Sequence, residues 1–388
     1  MIYRKKSSVS QNFSDLSYLK IKSRLALSIF GLTLGTALGT ALGTALGTAL
    51  GTVEKATSPI FSFQEHLTGS LEISHLIAGL PTIAASPVST QTLWQSKEIR
   101  GIYLSRYQVT GSASEKTIRD RVRYYKAQGI NTIIHGVWGN GCPMYHSEVM
   151  QETFGLKSCP NAFHEDWLDW MLDEAHKQDM QVHAYFEKGI KLDKNSPIFA
   201  QAVDNNWFVP GIDRTYAGVD HYLLDVTNPE ISDFFSQISA EFVKRYPNID
   251  AVQWDDYLGY YDGLPGNVDR TDSLTRFVKR MRESIKAANP NVSFDLCHHN
   301  PYWSDRYFDA DWTNWDTDRA FIQAYNDGNF SDEIAIAENY SGVAITENQL
   351  YHMDSLLRNE NIKSILIFPL SGNPEEAARR LRQYTSGQ

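Results

Sequence analysis

The chain has 388 residues, a globular composition (42% hydrophobic, 21% charged) and a formal net charge of −10. The first 24 residues are basic, with Arg4, Lys5, Lys6, Lys20, Lys22 and Arg24 facing only Asp15, so the remainder carries about −15. An acidic body repels a phosphate backbone, which sets nucleic acid aside as a partner, and three cysteines are too few for a dense disulfide framework.

Residues 1–24 form the basic N-terminal segment, and 25–53 carry no charge. Within this run GTAL repeats four times from Gly35, and Gly31, Gly35, Gly39, Gly43, Gly47 and Gly51 recur every fourth residue. A helix needs ~20 apolar residues to cross a bilayer. The segment is therefore expected to be a membrane anchor or a signal segment, with the long C-terminal part outside the cytoplasm by the positive-inside rule. Residues 54–97 show no sustained period and read as a linker, leaving 98–388 as the ordered domain. Cys142 and Cys159, 17 apart in one predicted loop, either pair or stay free; Cys297 is left over.

From Ile99 the pattern is strand then helix, repeated. Strands are predicted at Ile99–Leu104, Asn131–Trp138, Gln181–Phe186, Asp250–Trp254, Asn291–Leu296, Ala320–Tyr325, Glu333–Ala337 and Lys363–Phe368. Helices are predicted at Glu115–Gln128, His164–Lys177, Pro229–Arg245, Thr271–Ala288 and Glu347–Asn359. Eight such strands over about 290 residues predict an α/β fold, a (β/α)8 TIM barrel behind the hydrophobic segment and linker. A doubly wound open sheet is the alternative, weakened because no Gly-rich turn follows the first strand.

In a barrel, alternate strand residues face the helices and the interior. Placing Val252 and Trp254 outward turns Gln253 and Asp255 inward. The same parity turns in His183, Tyr185 and Glu187; Ser293, Asp295 and Cys297; and Phe321, Gln323 and Tyr325. Acids converging on the C-terminal mouth, where this fold keeps its active sites, are costly to bury without partners and point to chemistry. Asp256 has the opposite parity and reaches the mouth only if the loop kinks. Glu338 shares parity with Ile334 and Ile336 and ranks lower.

Two carboxyls across a mouth, one protonated and one ionised, are what glycoside hydrolysis needs. Asp255 is the expected catalytic carboxyl and Glu187 its partner, with Asp256 and Asp295 next. His183, Tyr185, Gln253, Asn140, Asn300 and Gln323 are candidates to hold hydroxyls, and Trp138, Tyr257, Trp303 and Tyr325 to stack on sugar rings, with Glu338 kept in the set. Neither a metal nor a cofactor is expected. The chain lacks HExxH, G-x-S-x-G and P-loop motifs. Two alternatives stay open: a barrel metallohydrolase using the CHHN run at Cys297–Asn300 with His183 and Asp255, and a barrel that only binds glycan at the cell surface.

Six blocks in order carry a family resemblance: RGIYLS (Arg100–Ser105), GINTIIHGVWGNGCPMYHSEV (Gly129–Val149), VHAYFEKG (Val182–Gly189), LDVTNPEISDFF (Leu224–Phe235), IDAVQWDDYLG (Ile249–Gly259) and DWTNW (Asp311–Trp315). Together they resemble the glycosyl hydrolase-like 10 family of bacterial envelope proteins, some of whose members are implicated in cleaving peptidoglycan glycan strands. The resemblance implies a barrel glycosidase outside the cytoplasm acting on a polysaccharide or a peptidoglycan glycan strand, tethered to the membrane by its N-terminal span or secreted. It matches Asp255 and Asp256 to the family's aspartate pair after the fourth strand, and Glu187 to the acid after the third. The family usually reads FDDH where this chain has Trp254, Asp255, Asp256 and Tyr257, which implies a substrate of its own.

Overall fold

A computed structural model describes residues 91–111, 113–215 and 218–386. The predicted hydrophobic segment and most of the linker lie outside the described residues. Eight parallel strands form a closed ring: β1 (Ile99–Leu104), β2 (Thr132–Gly139), β3 (Gln181–Phe186), β4 (Ala251–Asp255), β5 (Ser293–His298), β6 (Arg319–Gln323), β7 (Gly342–Thr346) and β8 (Ser364–Phe368). Each pairs with its neighbours in chain order. β8 returns to β1 with Ile99 opposite Ser364, and β1 meets β2 with Gly101 opposite Thr132. This is a (β/α)8 TIM barrel.

One main helix follows each strand: α1 (Glu115–Ala127), α2 (Trp167–Lys177), α3 (Pro229–Arg245), α4 (Thr271–Ala288), α5 (Pro301–Phe308), α6 (Phe330–Ala337), α7 (Met353–Arg358) and α8 (Pro374–Thr385). The sequence of α3 shows why it forms where it does. Asn228 caps it by accepting from the Glu230 N–H, Pro229 takes the first turn, where no donor is needed, and Lys244 and Arg245 sit in the last turn. Its buried face is Ile231, Phe234, Phe235, Ile238 and Phe242, spaced as a helix packing on a sheet requires.

The outward strand residues fill the layer between barrel and helices. Phe186 stacks on Trp254 at 4.6 Å between centroids, and Trp254 meets Phe235 of α3 at 6.3 Å. The inward residues make a separate, smaller core of Ile99, Tyr103, Ile134, Tyr185, Cys297, Phe321, Ala344 and Leu366.

One predicted element is corrected. Glu333–Ala337 is not the seventh strand but part of α6, and the seventh strand is Gly342–Thr346. Phe330, Glu333 and Ala337 are the buried positions of α6, a spacing of three and four. Apparent alternation around Ile334 and Ile336 masked that helical stripe.

Candidate active site

The inward residues divide into a lower belt and an upper rim. In the belt, the Arg319 guanidinium grips Asp295 with both arms, Nε to Oδ1 at 2.9 Å and Nη2 to Oδ2 at 2.8 Å, and the Ser293 hydroxyl donates to Asp295 Oδ1 at 2.5 Å. His183 lies beside this pair, with Nδ1 3.5 Å from Asp295 Oδ2 and Nε2 3.1 Å from the Gln181 side-chain oxygen. Asp295, His183 and Gln253 have no exposed surface. These three candidate residues are thus fully buried, and Asp295 is paired with an arginine.

At the rim, Asp255 is the last residue of β4. One carboxylate oxygen accepts from the Tyr257 N–H at 3.0 Å, and the other accepts from the Tyr185 hydroxyl. A turn closed by Leu258 N–H to Asp255 C=O at 2.9 Å ends the strand there, so Asp256 escapes its strand parity. Its carboxylate accepts from the Gln323 side-chain amide at 3.1 Å and lies 3.4 Å from His299 Nε2. The same Gln323 nitrogen donates to the Cys297 carbonyl at 3.0 Å. Asp255 is 6% exposed and Asp256 3%.

Burial, reinforced by the neighbouring Asp256 charge and further by Glu187, pushes the Asp255 carboxyl up to about 8. A carboxylic acid that keeps its proton at neutral pH is a proton donor in waiting. Cys297, packed in the inner core with Tyr103 and Tyr325, is pushed up to about 12 by burial and stays a neutral thiol.

Glu187 follows β3 and is 27% exposed at its side chain, more open than either aspartate. Lys188 (φ 66°) and Gly189 (φ 45°), both left-handed, then turn the chain sharply. The Glu187 carboxylate forms an ion pair at 2.5 Å with Arg106, just past β1. Sequence reasoning missed Arg106 because it lies in a 3-10 turn (Arg106–Val109), where strand parity has no purchase. His299 entered only within the CHHN run of the metallohydrolase alternative, not as a partner of Asp256. The signal for Arg106 was the glycine pattern of β2: an added Cβ at Gly136 would lie 2.8 Å from the Arg106 nitrogen, and one at Gly139 2.6 Å from its guanidinium carbon.

Several candidate sugar contacts have partners within the fold. Trp138 is buried on the outer face of β2 against Phe186, Phe234 and Phe235. Asn300 caps α5 through the Trp303 N–H at 3.0 Å and donates to both Glu333 oxygens at 2.9 and 3.0 Å. Asn140 ties its own loop to the Asp193 N–H and to Asn195, each at 2.8 Å. Glu338 ends α6 and accepts from Asn359 at 2.8 Å. Tyr257, Trp303 and Tyr325 are half-buried. Tyr257 lies over Lys191 at 5.0 Å, Trp303 stacks on Tyr307 at 4.4 Å, and Tyr325 meets Phe368 at 6.1 Å.

The histidines of the proposed metal set do not gather. His183 is in the belt, and His298 faces outward, sharing a 2.6 Å hydrogen bond with Ser304 and packing edge-on against Phe308 and Trp315. In the loop after β2, Cys142 and Cys159 form a disulfide.

Fold and rim together define a parallel-barrel protein with a mouth of three carboxyl groups, one of them held protonated. Residues 98–269, from β1 through the loop after β4, match the family model described as Glycosyl hydrolase-like 10, in keeping with the five resemblance blocks that fall within that range. Glycosyl hydrolase DigH of Escherichia coli (strain K12) is 26% identical over 279 residues, covering 58% of this chain and 62% of that protein. The chain thus spans about three-fifths of the length of this curated relative. Glycosyl hydrolase YngK of Bacillus subtilis (strain 168) is 29% identical over 156 residues, covering 34% of this chain and 29% of that one. Among solved structures, the PgaB (BpsB) glycoside hydrolase domain from Bordetella bronchiseptica superimposes with a TM-score of 0.50 at 11% identity, covering 75% of this chain and 99% of that domain. At that identity the likeness concerns the fold.

Proposed function

We propose that this protein is a glycoside hydrolase that cleaves an envelope or extracellular glycan at the β-barrel rim. Asp255 is the general acid and delivers its proton to the leaving glycosidic oxygen. Glu187 is the ionised partner and acts on the sugar carbon or on the attacking water. Asp256, fixed by Gln323 and His299, orients the sugar and keeps Asp255 protonated. The observation that carries this reading is the contrast between the carboxyls at the ends of β3 and β4: Asp255 is buried and pushed up to about 8, while Glu187 is more open and paired with a guanidinium. The family match supports the reaction class. The disulfide supports a location outside the reducing cytoplasm, in keeping with a chain that is secreted or tethered by its N-terminal span.

The test is to incubate the full chain with denuded peptidoglycan strands and a panel of neutral and amino-sugar polysaccharides, and to read new reducing ends and product masses. Cleavage should be lost in Asp255→Asn, and kcat/KM should fall above about pH 8 as the acid gives up its proton. Full activity in the Asn variant would sink the assignment. Glycan binding without cleavage by the unmodified chain would favour a non-catalytic barrel.

A further inference from the structure

Arg106 makes the least expected connection in the molecule. It leaves the end of β1, passes over β2 and reaches the carboxylate that follows β3, so its side chain spans one strand of the ring. Only the missing side chains of Gly136 and Gly139 leave room for that path. Ser105 fixes the start by accepting from the Tyr107 N–H at 3.3 Å. The guanidinium is nearly buried, and three of its features are used. Nη1 meets Glu187 Oε2 at 2.5 Å, Nη2 donates to the Tyr107 hydroxyl at 2.8 Å, and its carbon stands 4.5 Å from the Tyr107 ring centre.

Tyr107 is 53% exposed, unusually open for a large aromatic residue, and it belongs to the loop leaving the C-terminal end of β1, on the face of the barrel that bears the carboxyls. With the guanidinium against its ring, Tyr107 is a held aromatic plane rather than a free side chain. Burying a guanidinium costs desolvation, which is offset only when its hydrogen-bonding arms are matched. Here the offset comes from the opposite charge of Glu187 at Nη1 and from the hydrogen bond of Nη2 to the exposed Tyr107.

We infer that Arg106 is the positioning residue of the site, holding Glu187 by Oε2 so that Oε1 addresses the reacting carbon or water, and holding Tyr107 as a stacking plane for a sugar ring. This rests on the glycoside hydrolase reading for the nature of the substrate, but the coupling of Arg106 to Glu187 does not. Fixing a reacting carboxylate to within a fraction of an ångström is worth orders of magnitude in rate. A lysine lacks the planar fork and replaces charge without direction.

The experiment compares the unmodified full chain with Arg106→Met, Arg106→Ala, Arg106→Lys and Gly139→Ala, with thermal melts alongside. Cleavage of the best glycan substrate should lose about 100-fold or more in kcat in Arg106→Met, with KM rising only several-fold through Tyr107. Arg106→Lys should recover about tenfold at most, and added guanidinium ion should raise kcat of Arg106→Ala without moving its melting temperature. Gly139→Ala, which displaces the guanidinium but keeps it, should lower kcat in the same direction. A second readout needs no turnover: carbodiimide coupling of glycine ethyl ester to Glu187, followed by peptide mass, should rise several-fold in Arg106→Met, while ion-paired Asp318 in the loop before β6 is unchanged. Unchanged kcat in Arg106→Met, or unchanged Glu187 labelling, overturns the inference. If the unmodified chain cleaves nothing, the hydrolase reading fails and the labelling alone decides the role of Arg106. If Arg106→Met does not fold, Gly139→Ala decides it by the same two measurements.

Discussion

Replacing Asp255 by Asn should make the protein more stable at neutral pH while removing its activity. In the folded state the carboxyl is pushed up to about 8, against about 3.9 for an ordinary aspartate. The folded state therefore holds a proton that the unfolded chain releases above about pH 4. Stability from this group is complete below about pH 4 and falls by about 1.4 kcal/mol per pH unit until about pH 8. At pH 7 the loss is roughly 4 kcal/mol. Asn has no such term. It keeps an oxygen for the Tyr257 N–H but must turn the Tyr185 hydroxyl from donor to acceptor, which costs about 1–2 kcal/mol. The variant should be ahead by about 2–3 kcal/mol at pH 7, a rise in Tm of about 5 °C for a domain of this size. It should be behind below pH 4, so the two stability curves cross near about pH 5. Urea or thermal melts from pH 4 to 8 measure this directly, and the same samples should show a cleavage rate down by about 10²–10⁴. Parallel stability curves would refute the claim that burial and the Asp256 charge keep this carboxyl protonated.

Two further outcomes follow from groups away from the rim. Arg319→Met strands the fully buried Asp295 and should cost about 3–5 kcal/mol in urea melts, with Asp295→Leu added to it recovering most of the loss; a cost under about 1 kcal/mol would show that the belt pair is not needed. Removing the disulfide by Cys142→Ala with Cys159→Ala opens a loop of 17 residues and should cost about 3 kcal/mol, a difference that reductant should abolish by bringing the unmodified protein down to the variant.

The fold was largely legible because most of its strands announce themselves in one dimension. Gln181–Phe186 alternates Val182, Ala184 and Phe186 outward with His183 and Tyr185 inward, and the barrel keeps that division. The seventh strand was misplaced because Gly342–Thr346 is short and buried throughout, while the helix before it contains alternating isoleucines. At the rim, parity brought Glu187, Tyr185, Asp255, Gln323 and Tyr325 into view. It could not rank depth along the axis, so Asp295 and His183 looked equivalent to Asp255 although Asp295 pairs with Gln253 and His183 with Ala251, both earlier on β4. Asp256 needed the turn after β4, and Asn300 needed its partner Glu333, a contact between helices that no local pattern encodes.

Arg319, Asp295, Ser293 and His183 bond to one another in the belt, and none of these hydrogen bonds or ion pairs is to Asp255, Asp256 or Glu187. The lower half of the barrel is thus a self-sufficient foundation. Loops at the opposite end can be lengthened, exchanged or redirected to a new sugar without that foundation registering the change, which makes this scaffold a good starting point for altering specificity by recombining rim segments.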